Sequence, residues 1–198
     1  MRKVLCICGL APKLSIKAKI IVLLHMRERS RPTNTGRLLK LAIPDLEVRI
    51  RGDKDIPMDS EGLVTEDREA LLFYPSDRAI ELSSEFLKTI NKPITLIVPD
   101  GSWRQASKVS KRVEILKSVT HVKLPLGPIP QYRLRKETKP GGLSTFEAVA
   151  RALGIIEGLE VQEKLEELFK VLAERTLWSR AKLLITDCET EIPRGAYD

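Results

Sequence analysis

An acid, a glycine and an aromatic residue after an apolar run are the first residues in this chain that could do chemistry. The run Ile94–Val98 predicts a buried strand, and Asp100-Gly101-Ser102-Trp103 follows it closely. Ligands bind at the carboxyl ends of parallel strands. There Asp100 is a candidate base, Ser102 caps a helix whose amides favour an anion, and Trp103 offers a stacking surface. An Asp/Ser capping pair with a core Trp remains the alternative.

A second group of polar residues follows the apolar run Lys19–His25. His25 and Glu28 are three residues apart, and Arg27, Arg29 and Arg31 lie nearby. The pair could bind a metal or act as an acid and a base. A single His beside a Glu and several arginines is more typical of a structural hydrogen-bonding group, and we favour that interpretation over metal binding.

A basic and aromatic loop precedes the third candidate segment. Arg133 and Arg135 lie in this loop, and Gly142 leads into Ser144-x-x-Glu147. The Ser-x-x-Glu spacing predicts a capping box at the start of a helix. Because glycine lets a ligand approach the backbone closely, the segment also suits phosphate or cofactor contacts.

Positive charge is concentrated in one part of the chain. Residues 101–140 contain ten Lys or Arg and two Glu, a balance of +8, whereas the whole chain has a net charge of +7. Such a concentration is typical of proteins that bind a polyanion. A solvated basic face is the equally open alternative.

Composition indicates a globular protein of one domain, or of one domain with a helical appendage. The 198 residues are 42% hydrophobic and 31% charged. The longest apolar run, Ile20–Leu24, is far shorter than the roughly 20 residues of a membrane span, and the charged start is unlike a signal peptide. We therefore expect a cytoplasmic protein with no membrane partner. Three cysteines argue against a secreted disulfide framework, and the scarcity of Asn and Gln resembles thermophile proteins.

Strand and helix patterns alternate along the chain. Predicted strands are Lys19–His25, Leu46–Arg51, Ala70–Tyr74, Ile94–Val98 and Val119–Leu124, and predicted helices are Arg37–Leu41, Glu81–Ile90, Ser102–Lys117, Ser144–Leu153 and Glu160 to about Leu184. The alternation predicts an α/β fold with a mostly parallel sheet flanked by helices.

Several common signatures are missing. No G-x-G-x-x-G follows a strand, so an ordinary dinucleotide-binding or Rossmann methyltransferase site is not expected. The sequence has neither a P-loop nor a G-x-S-x-G elbow.

Taken together, the candidate segments resemble the DTW-domain family. Four elements match it in order between about residues 6 and 153. They are H-x-x-E-x-x-R-x-[TS]-N-T-G at His25, Glu28, Arg31, Thr33, Asn34, Thr35 and Gly36; Y-P-x-x-x-A at Tyr74, Pro75 and Ala79; D-G-[TS]-W-x-Q-A at Asp100 to Ala106; and Y-x-x-R…L-S-T-x-E-A at Tyr132, Arg135, Leu143, Ser144, Thr145, Glu147 and Ala148.

The resemblance implies a fold related to the SPOUT class, with a C-terminal knot that binds the cofactor. We expect a single domain over residues 1–198, in which 154–198 form a helical C-terminal extension. Family members usually have a Cys-rich zinc motif near the start. Only Cys6 and Cys8 correspond to it here, so we expect no metal site.

The resemblance also implies a reaction. The expected activity is transfer of the 3-amino-3-carboxypropyl group of S-adenosylmethionine to N3 of a uridine in tRNA, with methylthioadenosine as the leaving group. DNA is not an expected partner. Asp100 would act as the base, beside Trp103. Residues expected to bind the cofactor are Tyr74, Pro75, Ser76, Gly101, Ser102, Leu143, Ser144 and Thr145, and those expected to bind RNA are Arg31, Arg37, Arg104, Lys108, Arg133 and Arg135.

Three other functions remain open. A SPOUT-type methyltransferase would release S-adenosylhomocysteine instead of methylthioadenosine. A ribosomal RNA aminocarboxypropyltransferase would differ only in its substrate, which the basic segment does not distinguish. An RNA-binding module without catalysis would have no affinity for the cofactor.

Overall fold

A six-stranded parallel sheet lies at the centre of the chain. The computed structural model describes residues 3–31, 34–128, 142–193 and 196. The strands are β1 (Lys19–His25), β2 (Glu47–Arg51), β3 (Glu69–Phe73), β4 (Ile80–Glu81), β5 (Ile94–Asp100) and β6 (Thr120–Lys123). They lie in the order β2-β1-β5-β3-β6-β4, and every neighbouring pair is parallel. The predicted α/β class with a parallel sheet is therefore confirmed.

The register of the three strands at one side of the sheet brings polar residues to the same edge. Leu24 of β1 is opposite Asp100 of β5, and His25 is opposite Arg51 of β2. Because parallel strands end at the same edge, these three polar residues share the carboxyl end of the sheet.

Helices cover both faces of the sheet. The helices are α1 (Leu39–Ala42), α2 (Ser84–Leu87), α3 (Trp103–Ala106), α4 (Val109–Arg112), α5 (Thr145–Ile156) and α6 (Leu159–Trp178). Short 3₁₀ turns occupy Lys3–Leu5, Cys8–Leu10, Met26–Glu28, Gly36–Leu38, Glu114–Leu116 and Ile185–Asp187.

The larger hydrophobic core lies between the sheet and the helices α5 and α6. In it Phe146 of α5 stacks on Phe169 of α6 with ring centroids 5.2 Å apart. A smaller core on the opposite face contains Ile97 of β5, Val109 of α4 and Leu116. The two cores hold the sheet from both sides, so the loops at its carboxyl end are supported by packed elements.

The predicted helix over Ser102–Lys117 is wrong as a single element. The segment divides into α3, α4 and the 3₁₀ turn Glu114–Leu116. Ser107 Oγ donates to the carbonyl of Arg104, a local bond that competes with helix propagation. Val113 leaves the helical region with φ −99° and ψ 103°. The apolar face of the segment is nevertheless buried as its periodicity predicted.

The last helix ends earlier than predicted, at Trp178 instead of about Leu184. Ala181 adopts a positive φ of 52°, and the Lys182 amide donates to the Leu177 carbonyl. This Schellman arrangement ends the helix. Beyond it, buried Glu174 accepts hydrogen bonds from the amides of Glu189 and Thr190, which attaches the following segment to α6.

The predicted knot depends on the path from β6 to α5. Residues 129–141 on that path lie outside the described residues, so the knot stays a prediction. Within the described ranges, none of the helices combines the length and apolar composition that a membrane span requires.

Candidate active site

The carboxylate of Asp100 joins three segments of the chain. Asp100 ends β5 and is only 5% exposed. Its Oδ1 accepts a hydrogen bond from Thr145 Oγ1 at 2.7 Å, and its Oδ2 accepts one from Asn34 Nδ2 at 2.6 Å. The end of β5, the loop after β1 and the start of α5 therefore meet at one buried acid.

Two glycines make this close approach possible. A Cβ atom at Gly36 would lie 2.5 Å from Asp100 Oδ2, well inside contact distance. Gly101 has φ +154°, and a Cβ there would lie 2.8 Å from Gln105 Oε1. That oxygen accepts a hydrogen bond from the Ser102 amide, which fixes the turn into α3. Backbone without side chains at these positions thus lets the loop and the turn pack against the carboxylate and its neighbours.

The start of α5 is fixed by a capping box, as predicted. Ser144 Oγ accepts from the Glu147 amide, and Glu147 Oε2 accepts from the Ser144 amide at 3.0 Å. Thr35 Oγ1 accepts from the Phe146 amide at 3.4 Å, which ties the loop after β1 to the same helix. Burial raises the pKa of the Glu147 carboxyl, against the hydrogen bond from Ser144.

A buried cation lies close to Asp100. Arg51 is 6% exposed and donates from Nε to the Leu23 carbonyl and from Nη2 to the Gln105 carbonyl. Burial lowers the pKa of Arg51 to about 10, while the charge of Asp100 opposes this shift. The guanidinium therefore remains charged at neutral pH.

Arg51 is absent from the residues predicted for the site. The alternation of Leu46–Arg51 predicted a half-exposed strand, and the last residue of such a strand gives no sign of burial. Arg51 lies beside His25 because of the register between β2 and β1, and this register is set by the tertiary structure.

His25 is a hydrogen-bonding group of the turn after β1. Its Nδ1 accepts from the Arg27 amide at 3.2 Å and lies 3.3 Å from Gln105 Nε2. Burial, together with the charges of Arg51 and Arg27, lowers the pKa of His25. Glu28 is buried, and its carboxylate pairs with Arg31 at 3.0 Å instead of with His25. Across the described residues, no three His, Cys, Asp or Glu side chains gather as metal ligands would.

The predicted aromatic residues form a pair beside the carboxylate turn. The rings of Tyr74 and Trp103 have centroids 6.3 Å apart and are tilted by 57°. Both rings are half-buried, so part of each remains accessible. Pro75 is exposed next to them. The loop after β3 and the turn after β5 are therefore neighbours, as expected for one site at the edge of the sheet.

Ser76, the next residue predicted for cofactor binding, contacts a buried histidine. Its Oγ is 2.6 Å from Nδ1 of His121 in β6, and Nη2 of Arg78 is 2.6 Å from the other ring nitrogen. An arginine nitrogen only donates, so Nε2 is the acceptor and Nδ1 of the neutral ring donates to Ser76. Burial and the charge of Arg78 lower the pKa of His121, which favours this neutral form.

The basic residues predicted for RNA binding are distributed over the same end of the sheet. Arg31 and Arg104 are exposed, and Lys108 is half-buried between α3 and α4. Arg133 and Arg135 lie outside the described residues, as does the side chain of Arg37. The RNA-binding role of all six stays a prediction.

The DTW domain matches residues 1–177 of this chain. The chain belongs to the DTW-domain family. The matched range continues past residue 153, where the sequence resemblance ended, and includes most of α6.

Curated relatives of this DTW-domain chain bear a common name. "tRNA-uridine aminocarboxypropyltransferase 2" of Mus musculus is 27% identical over 97% of this chain and 66% of its own length. The protein of the same name from Drosophila melanogaster is 28% identical over 74% of this chain and 59% of its own length. "tRNA-uridine aminocarboxypropyltransferase A" of Arabidopsis thaliana is 29% identical over 84% of this chain and 74% of its own length. The chain thus spans less than two thirds of the mouse and fruit-fly proteins. No solved structure matches it.

The family motifs converge only in part in the described structure. Asn34, Gly36, Asp100 and Thr145 come from three motifs and are in direct contact. Tyr74 joins them through Trp103. Three further motif residues, Thr33, Tyr132 and Arg135, lie outside the described residues.

Replacing Thr145 with Val should reveal the stabilising effect of its bond to Asp100. Valine keeps the shape but removes the donor, so a buried carboxylate oxygen loses a hydrogen bond. We expect the free energy of unfolding to fall by about 1.5–3 kcal/mol, measured by urea denaturation. Thr145→Ser, which keeps the hydroxyl, is the control. Equal stability of the Val and Ser variants would show that the hydrogen bond contributes nothing.

His121 should make the protein less stable in acid. Its folded pKa lies below the ordinary value of 6.5, so the unfolded chain binds more protons as the pH falls through that value. The free energy of unfolding of the wild type should therefore decrease between about pH 7.5 and about pH 5.5. His121→Gln should show a smaller decrease in the same denaturation series. His25 and Glu147 are present in both proteins, so their contributions cancel in the comparison. Parallel pH curves for the two proteins would contradict the assignment.

Proposed function

We propose that this DTW-domain chain transfers the 3-amino-3-carboxypropyl group of S-adenosylmethionine to N3 of a uridine in tRNA. Methylthioadenosine is the other product. The names of the relatives support tRNA uridine as the substrate and aminocarboxypropyl transfer as the reaction. The composition supports a cytoplasmic setting.

One observation carries the proposal. Residues from three family motifs meet at the buried Asp100 carboxylate, at the carboxyl edge of a parallel sheet. Ligand sites of α/β proteins lie at this edge. An acid buried there and held on both oxygens is a fixed feature around which a substrate pocket can form.

The residues beside Asp100 fit the polar parts of S-adenosylmethionine. The amides of Phe146 and Glu147 already donate to Thr35 and Ser144. The hydroxyl of Ser144 accepts one of these bonds, which leaves its own hydrogen for a ligand oxygen. The twelve-residue helix α5 also directs its positive end at this point, which suits a carboxylate. We assign the methionine carboxylate to the Ser144 hydroxyl and the backbone of Thr145, whose hydroxyl already donates to Asp100, with Leu143 beside them.

The adenosine part fits the two other loops at this edge. We assign it to the backbone of Tyr74, Pro75 and Ser76 and to the turn at Gly101 and Ser102. The bound sulfonium supplies an electrophilic carbon, and positioning decides which of its three attached carbons faces the nucleophile.

Asp100 is the residue that we propose as the base for the uridine N3 proton. Each of its oxygens accepts one hydrogen bond within the protein, and a carboxylate oxygen has a second lone pair. The proton from N3 is received there directly or through one water. The buried guanidinium of Arg51 lies close enough to interact electrostatically with this carboxylate.

Trp103 and the basic residues complete the uridine site in this proposal. The accessible part of Trp103 stacks on the uracil, and the exposed Arg31 and Arg104 contact phosphates together with the half-buried Lys108. The base must be unpaired or turned out of a helix, because N3 is otherwise covered by pairing.

Analysis of the reaction products tests the function. The protein is incubated with S-adenosylmethionine and unmodified tRNA, and nucleosides and coproducts are identified by mass spectrometry. We expect aminocarboxypropyluridine and methylthioadenosine. A methylated nucleoside with S-adenosylhomocysteine would indicate a methyltransferase. Modification of ribosomal RNA but not tRNA would change the substrate, and no affinity for S-adenosylmethionine in calorimetry would indicate an RNA-binding module.

Replacing Asp100 with Asn separates a base from a structural anchor. The amide does not accept a proton, so turnover should fall about a hundredfold or more while calorimetry shows nearly unchanged S-adenosylmethionine binding. Thr145→Val, compared at saturating S-adenosylmethionine because Thr145 is also assigned to the cofactor, is the matched variant, since it loosens the carboxylate but keeps it. If both variants lost the same turnover, Asp100 would act by holding the loops and not as the base.

A further inference from the structure

A recess lies on the face of the sheet that α4 covers, next to the aromatic pair Tyr74 and Trp103. Its volume is about 750 Å³, and its walls are the loop after β3, the segment of α3 and α4, and the start of β6. Tyr74, in the loop after β3, is part of the lining, and its ring also pairs with that of Trp103. The recess, called the basic cleft below, therefore shares one aromatic wall with the proposed uridine site.

The basic cleft is positively charged. Its described lining contains Arg78, Lys111 and Lys117 against a single acid, Asp77. Lys117 also pairs with Glu114 at the exposed rim. Lys111 is exposed and has no ion pair among the described residues. Adjacent residues 101–112 carry four basic side chains and no acid, so the positive surface continues towards Trp103.

Hydroxyl donors line the cleft as well. His121, only 4% exposed, donates from Nδ1 to Ser76 Oγ because Arg78 occupies its other nitrogen. Ser76 is thereby an acceptor towards His121, and its own hydrogen is available to a group in the cleft. Ser110 adds a second hydroxyl to the lining. The arrangement of fixed hydroxyl donors among cations is the chemistry that binds phosphate oxygens.

We propose that the basic cleft binds a backbone phosphodiester of the RNA strand that presents its base to Trp103. This inference rests on the proposed function and adds a phosphate site at the side chain of Ser76, in the same loop whose backbone is assigned to adenosine. The shared wall of Tyr74 explains how one strand serves both: its base stacks on the aromatic side, and a neighbouring phosphate lies among Ser76, Arg78 and Lys111. Aromatic surfaces beside a cationic groove are typical of single-strand binding.

Charge removal in the cleft tests the inference. The double variant Lys111→Gln and Lys117→Gln changes only exposed side chains, and Lys88→Gln, exposed on the other face after α2, is the matched control. Affinity for unmodified tRNA is measured by fluorescence anisotropy at several salt concentrations. We expect the double variant to lose about tenfold in affinity and to reduce the slope of log K against log salt by about one or two, as expected for one or two lost phosphate contacts. Lys88→Gln should match the wild type.

The other outcomes separate the inference from the proposed function. A double variant that binds tRNA as the wild type does would overturn the phosphate site, even if product analysis confirms the transfer reaction. Loss of S-adenosylmethionine affinity, measured by calorimetry on the same variant, would assign the cleft to the cofactor and also overturn it. The single variant Lys111→Glu should weaken tRNA binding more than Lys111→Gln, and equal binding by these two would count against a phosphate contact. Product analysis of the wild type, done in parallel, tests the transfer reaction by itself.

Discussion

The two hydrogen bonds to the Asp100 carboxylate are the constraint on which the rest of the site depends. They join Asn34 and Thr145 to one acid, although these residues lie 66 and 45 positions away from Asp100 in the chain. A buried carboxylate without partners would be costly, so each donor has to be present for the acid to stay inside. The loop after β1 and the start of α5 are consequently fixed relative to β5. The geometry of any pocket built from these loops therefore depends on the position of Asp100.

Arg51 completes the electrostatic balance of this arrangement. A buried guanidinium and a buried carboxylate each lose hydration, and their mutual attraction offsets part of that loss. Arg51 does not bond to Asp100 but to the carbonyls of Leu23 and Gln105. The acid is therefore stabilised by a nearby charge while its remaining lone pairs are not taken by that charge.

Local patterns in the sequence were sufficient for the strands that carry the site and for the caps that orient it. The apolar runs at β1, β3 and β5 and the Ser144-x-x-Glu147 box are signals within a few residues, and each predicted its element. Local patterns could not predict the contacts of Arg51, His121 and Asn34, because the order and register of the strands bring these residues to their partners. The break in the helix after Ser102 escaped prediction because Val109 and Leu116 stay buried in the core with Ile97 without a continuous helix, so the apolar periodicity gives no sign of it.

The acid and the basic cleft are separated by the sheet. Side chains alternate along β5, so Asp100 points towards α5, as Val98 does, whereas Pro99 points the other way. His121 pairs in register with Leu72, whose side chain belongs to the core on the α4 face. The acid and the basic cleft thus lie on opposite faces, and Tyr74 and Trp103 stand at the edge between them. In the proposed function, a nucleic acid strand crosses that edge, its base meets the aromatic pair on the way to the acid, and its backbone stays among the cations.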